Sequence, residues 1–143
     1  MPLFAGQNRE QLRRMYVDAW RKFSAQQQLQ PLEAQIAAVI AEHPEYLPLL
    51  QSERDVLGLD FAPEGGQQNP FLHMGLHLAI REQVATDRPP GITLIHEELT
   101  RHLSDAHAAE HRMLEALAET LWEAQRNGNT PDEAAYLQRL KKL

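Results

Sequence analysis

The sequence predicts an all-α protein, organised as a single-domain bundle of five or six helices built around a long antiparallel helix hairpin. Apolar residues recur at three- and four-residue spacing in several stretches, and no window alternates apolar and polar residues as a half-buried strand does. Proline, glycine and asparagine separate these stretches, at positions that suit helix starts and stops. The chain has 143 residues, which is the length of one domain with one core, so residues 1–143 are predicted to form a single helical domain.

Two amphipathic helices are predicted first. One follows Asn8, because Gln11 three residues later completes a capping-box pattern and apolar side chains then recur at helical spacing. The second begins at Pro31, since proline suits the first position of a helix. It should end at His43, because Pro44 disfavours helical geometry in the residue before it.

A buried helix is predicted over residues 69–87. It is preceded by a short or broken helix and then by a loop at 58–68, which is rich in glycine, proline and polar residues. Asn69 is a typical N-cap and Pro70 a typical first residue. The first three turns have almost no polar face, and a helix that is apolar all round is a buried one.

The second half of the hairpin is predicted to be a helix of more than 30 residues. Pro89-Pro90-Gly91 ends the preceding helix, and Thr93 is a candidate cap for the next one. This helix is predicted to run to about residue 126, and a kink is possible at Ser104-Asp105. Asn127-Gly128 provides a left-handed stop, and a short terminal helix follows over residues 131–142.

Composition excludes several classes of function. The net charge of -6 and the pI near 5.6 argue against a partner that is nucleic acid or an anionic membrane. The chain has no cysteine, which excludes disulfides, thiolate chemistry and iron–sulfur clusters. The N-terminal residues lack the pattern of a signal peptide, and no window resembles a membrane span, so the cytoplasm is the expected location.

Histidines four residues apart occur in both halves of the predicted hairpin 69–126, as His73 with His77 and His107 with His111. Residues four apart share a helix face, and the tight turn near Pro90 implies antiparallel neighbours in which His73 is level with His107. Imidazole nitrogens are the commonest side-chain ligands of zinc, iron and nickel, and Glu110 is a nearby carboxylate. The sequence therefore predicts a divalent metal site. Its candidate ligands are His73, His77, His107, His111 and Glu110, with three histidines or a His/Glu110 set favoured over four histidines.

Other interpretations of the histidines stay open. His73 is not followed by glutamate, so the pattern of zinc peptidases is absent. A metal-dependent enzyme with an open coordination position and a simple metal-binding protein both fit. The alternative is a non-enzymatic helical adaptor or homodimer whose histidines only bond one another in the core. A third interpretation is a pH-sensitive interaction module, because clustered histidines titrate near neutrality.

Long segments resemble those of a family of small proteobacterial proteins classified only as a domain of unknown function. The segments are NPFLHMGLHLAIREQVATDRPPGI, DAHAAEHRMLEALAETLWEAQR and AEHPEY, and the resemblance covers about residues 8–140. It implies a cytoplasmic bacterial protein of one helical domain. It implies no particular reaction and no catalytic residues.

Overall fold

The computed structural model describes residues 9–51 and 69–143, so the predicted loop at 58–68 lies outside the described residues. These two ranges contain seven α-helices, one short 3₁₀ helix and no strand, which confirms the all-α prediction. The helices are α1 (Arg9–Ser24), α2 (Pro31–Ala41), the 3₁₀ helix (Pro44–Tyr46), α3 (Leu47–Gln51), α4 (Pro70–Thr86), α5 (Ile92–Leu103), α6 (Ala106–Asn127) and α7 (Glu133–Lys141).

The chain divides into two compact units, Met1–Leu78 and Ala79–Leu143, and the boundary lies within α4. The first unit contains α1, α2, the 3₁₀ helix, α3 and the first half of α4. The second contains the rest of α4 with α5, α6 and α7. Each unit is described separately below, and the single-domain organisation stays a prediction.

The core of the first unit joins α1, α2 and the beginning of α4. Tyr16 of α1 packs edge-on against Phe71 of α4, with ring centroids 5.4 Å apart. The same cluster of buried side chains includes Val39 and Ile40 of α2 and Met74 of α4. Phe71, Met74 and Leu78 recur at helical spacing and all belong to this core.

The start of α4 confirms the sequence signals. The side-chain oxygen of Asn69 accepts the backbone N–H groups of Phe71 and Leu72 at 2.9 and 3.3 Å. This satisfies two of the donors that a helix start leaves without intrahelical partners. Residues 74–78 are all buried, as the apolar sequence predicts, although Leu72 is exposed.

The predicted helix of more than 30 residues is two helices. Ser104 adopts a left-handed conformation with φ 55° and ends α5, and the side chain of Asp105 caps α6 by accepting the N–H groups of His107 and Ala108. The break falls where a kink was a candidate, and it adds one helix to the number predicted for the described ranges. Since α5 and α6 are separate helices that pack against each other, this half of the predicted hairpin is not one straight helix.

The terminal helix α7 is held to its own unit by polar contacts. The Tyr136 hydroxyl donates to Gln83 of α4 at 2.7 Å, and Arg139 donates to the Thr120 hydroxyl of α6 at 2.8 Å. The helix begins after Asp132, whose carboxylate accepts the N–H of Ala135. Gly128, at φ 67°, is the left-handed residue that the sequence predicts after α6.

Gly91, and not the predicted Thr93, is the N-cap residue of α5, and the side chain of Asp87 supplies an acceptor at this helix start. Its carboxylate accepts the backbone N–H groups of Gly91 and Thr93, both at 3.1 Å, whereas the Thr93 hydroxyl donates to the carbonyl of Val84. Hydrogen bonding to Thr93, chiefly its backbone N–H, and to a smaller extent to the N–H of Gly91 stabilises the ionised carboxylate and lowers the pKa of Asp87 below its usual value.

We expect the Asp87→Asn variant to lose less thermal stability than the wild type as the pH is lowered. A carboxyl whose pKa is lowered by folding stabilises the native state above its unfolded pKa, near 3.8, and this contribution is lost as the pH falls through the folded value. Asparagine keeps an acceptor oxygen and tolerates the positive φ of 53° at this position. Thermal melts from pH 7 to pH 2 should show the wild type more stable at pH 7 and the two proteins converging below the usual aspartate pKa. A difference independent of pH would contradict this origin.

None of the helices in the described ranges is both long enough and apolar enough to cross a membrane.

Candidate metal centre

Three imidazole rings meet in the first unit. His73 and His77 extend from α4, and His43 lies at the end of α2. The ring centroids are 5.1 Å apart for His43 and His73, 4.7 Å for His43 and His77, and 4.9 Å for His73 and His77. His43 and His77 are almost fully buried, at 2% and 0% exposure, and His73 is half-buried. We call these three residues the three-histidine cluster.

His43 is held in one orientation by the backbone of α2. Its Nδ1 lies 2.8 Å from the carbonyl oxygen of Val39. A carbonyl only accepts, so Nδ1 carries the proton and Nε2 carries the lone pair in the neutral ring. Metal-binding histidines in proteins are oriented by the same kind of bond, in which the non-coordinating nitrogen donates to a carbonyl or carboxylate.

The Nε2 atoms of His73 and His77 are 3.2 Å apart. A zinc–nitrogen bond of about 2.0–2.1 Å places two ligand nitrogens of a tetrahedral site about 3.3 Å apart. The same distance suits a direct hydrogen bond, in which one ring donates and the other accepts. The pair therefore has the spacing of two ligands of one ion, and it also has the spacing of two structural histidines.

Tyr46 covers part of the three-histidine cluster. Its ring stacks on that of His43 at 5.5 Å with an interplanar angle of 6°, and it meets the ring of His73 edge-on at 6.3 Å. The 3₁₀ turn fixes this arrangement, because the N–H of Tyr46 donates to the carbonyl of His43. Burial, followed by the charge of Glu45, raises the pKa of Tyr46, so the phenol keeps its proton at neutral pH.

The second unit contains the other predicted pair. His107 and His111 lie in the first two turns of α6, with ring centroids 4.5 Å apart and an interplanar angle of 56°. Both rings are half-buried. The prediction that four-apart spacing brings the rings of each pair together on one helix is confirmed within both units. Because the pairs belong to different units, the predicted approach of one pair to the other stays a prediction.

Glu110, the predicted carboxylate ligand, is part of an ion pair. Its two oxygens accept from Nε of Arg81 at 3.0 and 3.1 Å, and its side chain is only 9% exposed. The guanidinium offsets the charge of a carboxylate that lies largely out of water. To bind a metal, Glu110 would have to give up part of this contact, so the imidazoles are the stronger candidates.

Within the first unit, His43 and His77 could each offer a ring nitrogen to an ion, and within the second unit His107 and His111 could do so. These histidines are compatible with metal binding. Sequence reasoning missed His43, because 30 residues separate it from the nearest predicted ligand, His73. A signal was present: His43 continues the apolar line of Ile36 and Ile40 by one further helical turn, at a position where a core residue is expected.

The fold and the site together define an all-α protein with a buried cluster of histidines. The chain belongs to the family described as Domain of unknown function (DUF1841), whose profile matches residues 8–142. The chain matches no curated protein and no solved structure.

Proposed function

We propose that the protein binds a divalent transition-metal ion, zinc, nickel or iron(II), through imidazole nitrogens. The three-histidine cluster is the principal ligand set. The His107–His111 pair of the second unit is a further set of donors. The observation that carries the proposal is the meeting of three imidazole rings in a site where His43 is already oriented by Val39.

The chemistry of the donors favours transition metals over magnesium and calcium. Imidazole suits zinc, nickel, copper and iron, whereas the hard cations take oxygen ligands. A ligand that is oriented and buried before the ion arrives loses less entropy when the ion binds. The protein is proposed to act in the cytoplasm, the location expected from the sequence.

The proposal is tested by metal analysis of protein purified without a histidine tag. We expect about one equivalent or more of a transition metal per chain after loading and gel filtration, and a rise in melting temperature on adding zinc, nickel or iron(II). A ligand that binds only the folded state at 100 times its Kd stabilises that state by about 2.7 kcal/mol. Less than about 0.1 equivalents with no change in melting would contradict the proposal.

That negative outcome would favour the alternative function, a helical adaptor or homodimer with structural histidines. The specific observation behind the alternative is the 3.2 Å distance between Nε2 of His73 and Nε2 of His77, which a direct hydrogen bond also explains. Sedimentation analysis of the same sample tests it, since a strictly monomeric protein without partners would count against an adaptor.

A further inference from the structure

The proposed ligands are neutral side chains, so they do not offset the positive charge of the ion. All three members of the three-histidine cluster are histidines, so none of them brings a negative charge to the ion. Ligating histidines are neutral, so a divalent ion bound by them keeps its full charge of two. Two of the rings, His43 and His77, are almost fully buried, where an uncompensated charge is costly.

A small anion bound directly to the ion would reduce that charge. Sites with three histidine ligands commonly keep a fourth position for water or hydroxide. The three-histidine cluster has two buried members and one half-buried member, His73, so access from solvent is expected on the side of His73.

Tyr46 brings a hydroxyl-bearing side chain to the edge of His73. It stacks on His43 and meets the edge of His73, the less buried ring, and it is itself half-buried. A protonated phenol donates one hydrogen bond, and a bond to an anion is stronger than one to a neutral acceptor. The ring stack and the 3₁₀ turn hold the phenol in place before any ligand binds.

We propose that the ion in the three-histidine cluster binds a small exogenous monoanion, such as hydroxide or azide, and that the Tyr46 hydroxyl donates a hydrogen bond to this anion. This inference rests on the proposed metal binding and specifies the ligand that the ion takes. Tyr46 is a ligand-positioning residue in this arrangement and does not itself bind the metal.

The test uses the full-length protein loaded with cobalt(II), whose visible absorption reports changes in its ligands. Titration with azide at constant pH should give a saturable shift of the cobalt bands. Tyr46→Phe keeps the aromatic stack and should keep the cobalt stoichiometry, but it should weaken azide binding by about tenfold or more, the usual effect of losing a hydrogen bond to a charged group.

Tyr16→Phe is the matched control. It makes the same chemical change in the same unit, at a buried hydroxyl that has no hydrogen-bond partner in the described part of the chain. Its azide affinity should equal that of the wild type. A selective effect of Tyr46→Phe supports the proposal.

The outcomes distinguish a failure of metal binding from a failure of the proposed anion site. Failure to take up cobalt overturns metal binding itself. Cobalt uptake that depends on His77, without any spectral response to azide, overturns the anion site alone. Equal azide affinity in the wild type and Tyr46→Phe overturns the role of the hydroxyl.

Discussion

Replacing His77 with alanine should lower the affinity for zinc by more than about 100-fold. Loss of a residue that merely orients a ligand already costs 10- to 100-fold, and His77 is proposed as a ligand. Its ring is fully buried, and its Nε2 lies 3.2 Å from that of His73. Competition with a chromogenic chelator measures the Kd in both proteins.

Two further variants make this result specific. His77→Gln fills most of the volume of the imidazole and should bind zinc as weakly as His77→Ala, which separates ligand loss from the effect of a cavity. His96→Ala changes a histidine outside the predicted and observed clusters, and it should bind zinc like the wild type. Retention of wild-type affinity in His77→Gln, or an equal loss in His96→Ala, would contradict the assignment of His77 as a ligand.

Replacing Arg81 with leucine should destabilise the protein by about 2 kcal/mol, somewhat less than the cost of breaking a fully buried ion pair, because the Arg81 side chain is 30% exposed. The side chain of Glu110 is 9% exposed, and both of its oxygens accept from the guanidinium of Arg81. The substitution removes the positive charge beside a carboxylate that has little access to water. Urea unfolding monitored by circular dichroism measures the change in the free energy of unfolding.

A solvent-exposed pair supplies the matched control. Arg21 contacts Asp18 at 2.8 Å, with its own side chain 64% exposed, and Arg21→Leu should change stability by less than about 0.5 kcal/mol. The double variant Arg81→Leu/Glu110→Leu should recover much of the loss, because both charges are removed together. Equal effects of Arg81→Leu and Arg21→Leu would show that burial does not strengthen the pair.

Local sequence signals predicted the parts of the fold that local chemistry decides. Asn69 and Pro70 marked the start of α4 because capping involves only neighbouring residues. The four-apart spacing brought His73 to His77 because one helix determines that geometry. The family was also recognised from its segments, and its profile covers residues 8–142.

Features that depend on distant contacts were not predicted, and one local feature, the break after Ser104, was underestimated. His43 reaches α4 only because α2 packs in the same core, and no spacing rule within a helix links residues 43 and 73. The break between α5 and α6 was underestimated, because Ser104 is neither glycine nor proline and adopts a left-handed conformation that serine seldom takes. Asp105 was the available signal, since aspartate favours the N-cap that it occupies. The ion pair of Glu110 with Arg81 joins α6 to α4, across 29 residues of sequence.

X-ray absorption at the zinc edge of the zinc-loaded, tag-free protein tests the central proposal most directly. Histidine ligation predicts a first shell of nitrogen at about 2.0–2.1 Å, with outer-shell scattering from at least three imidazole rings. His77→Gln should lose at least one of these rings. A first shell of water and carboxylate oxygen, without imidazole scattering, would contradict the assignment of the histidines as ligands.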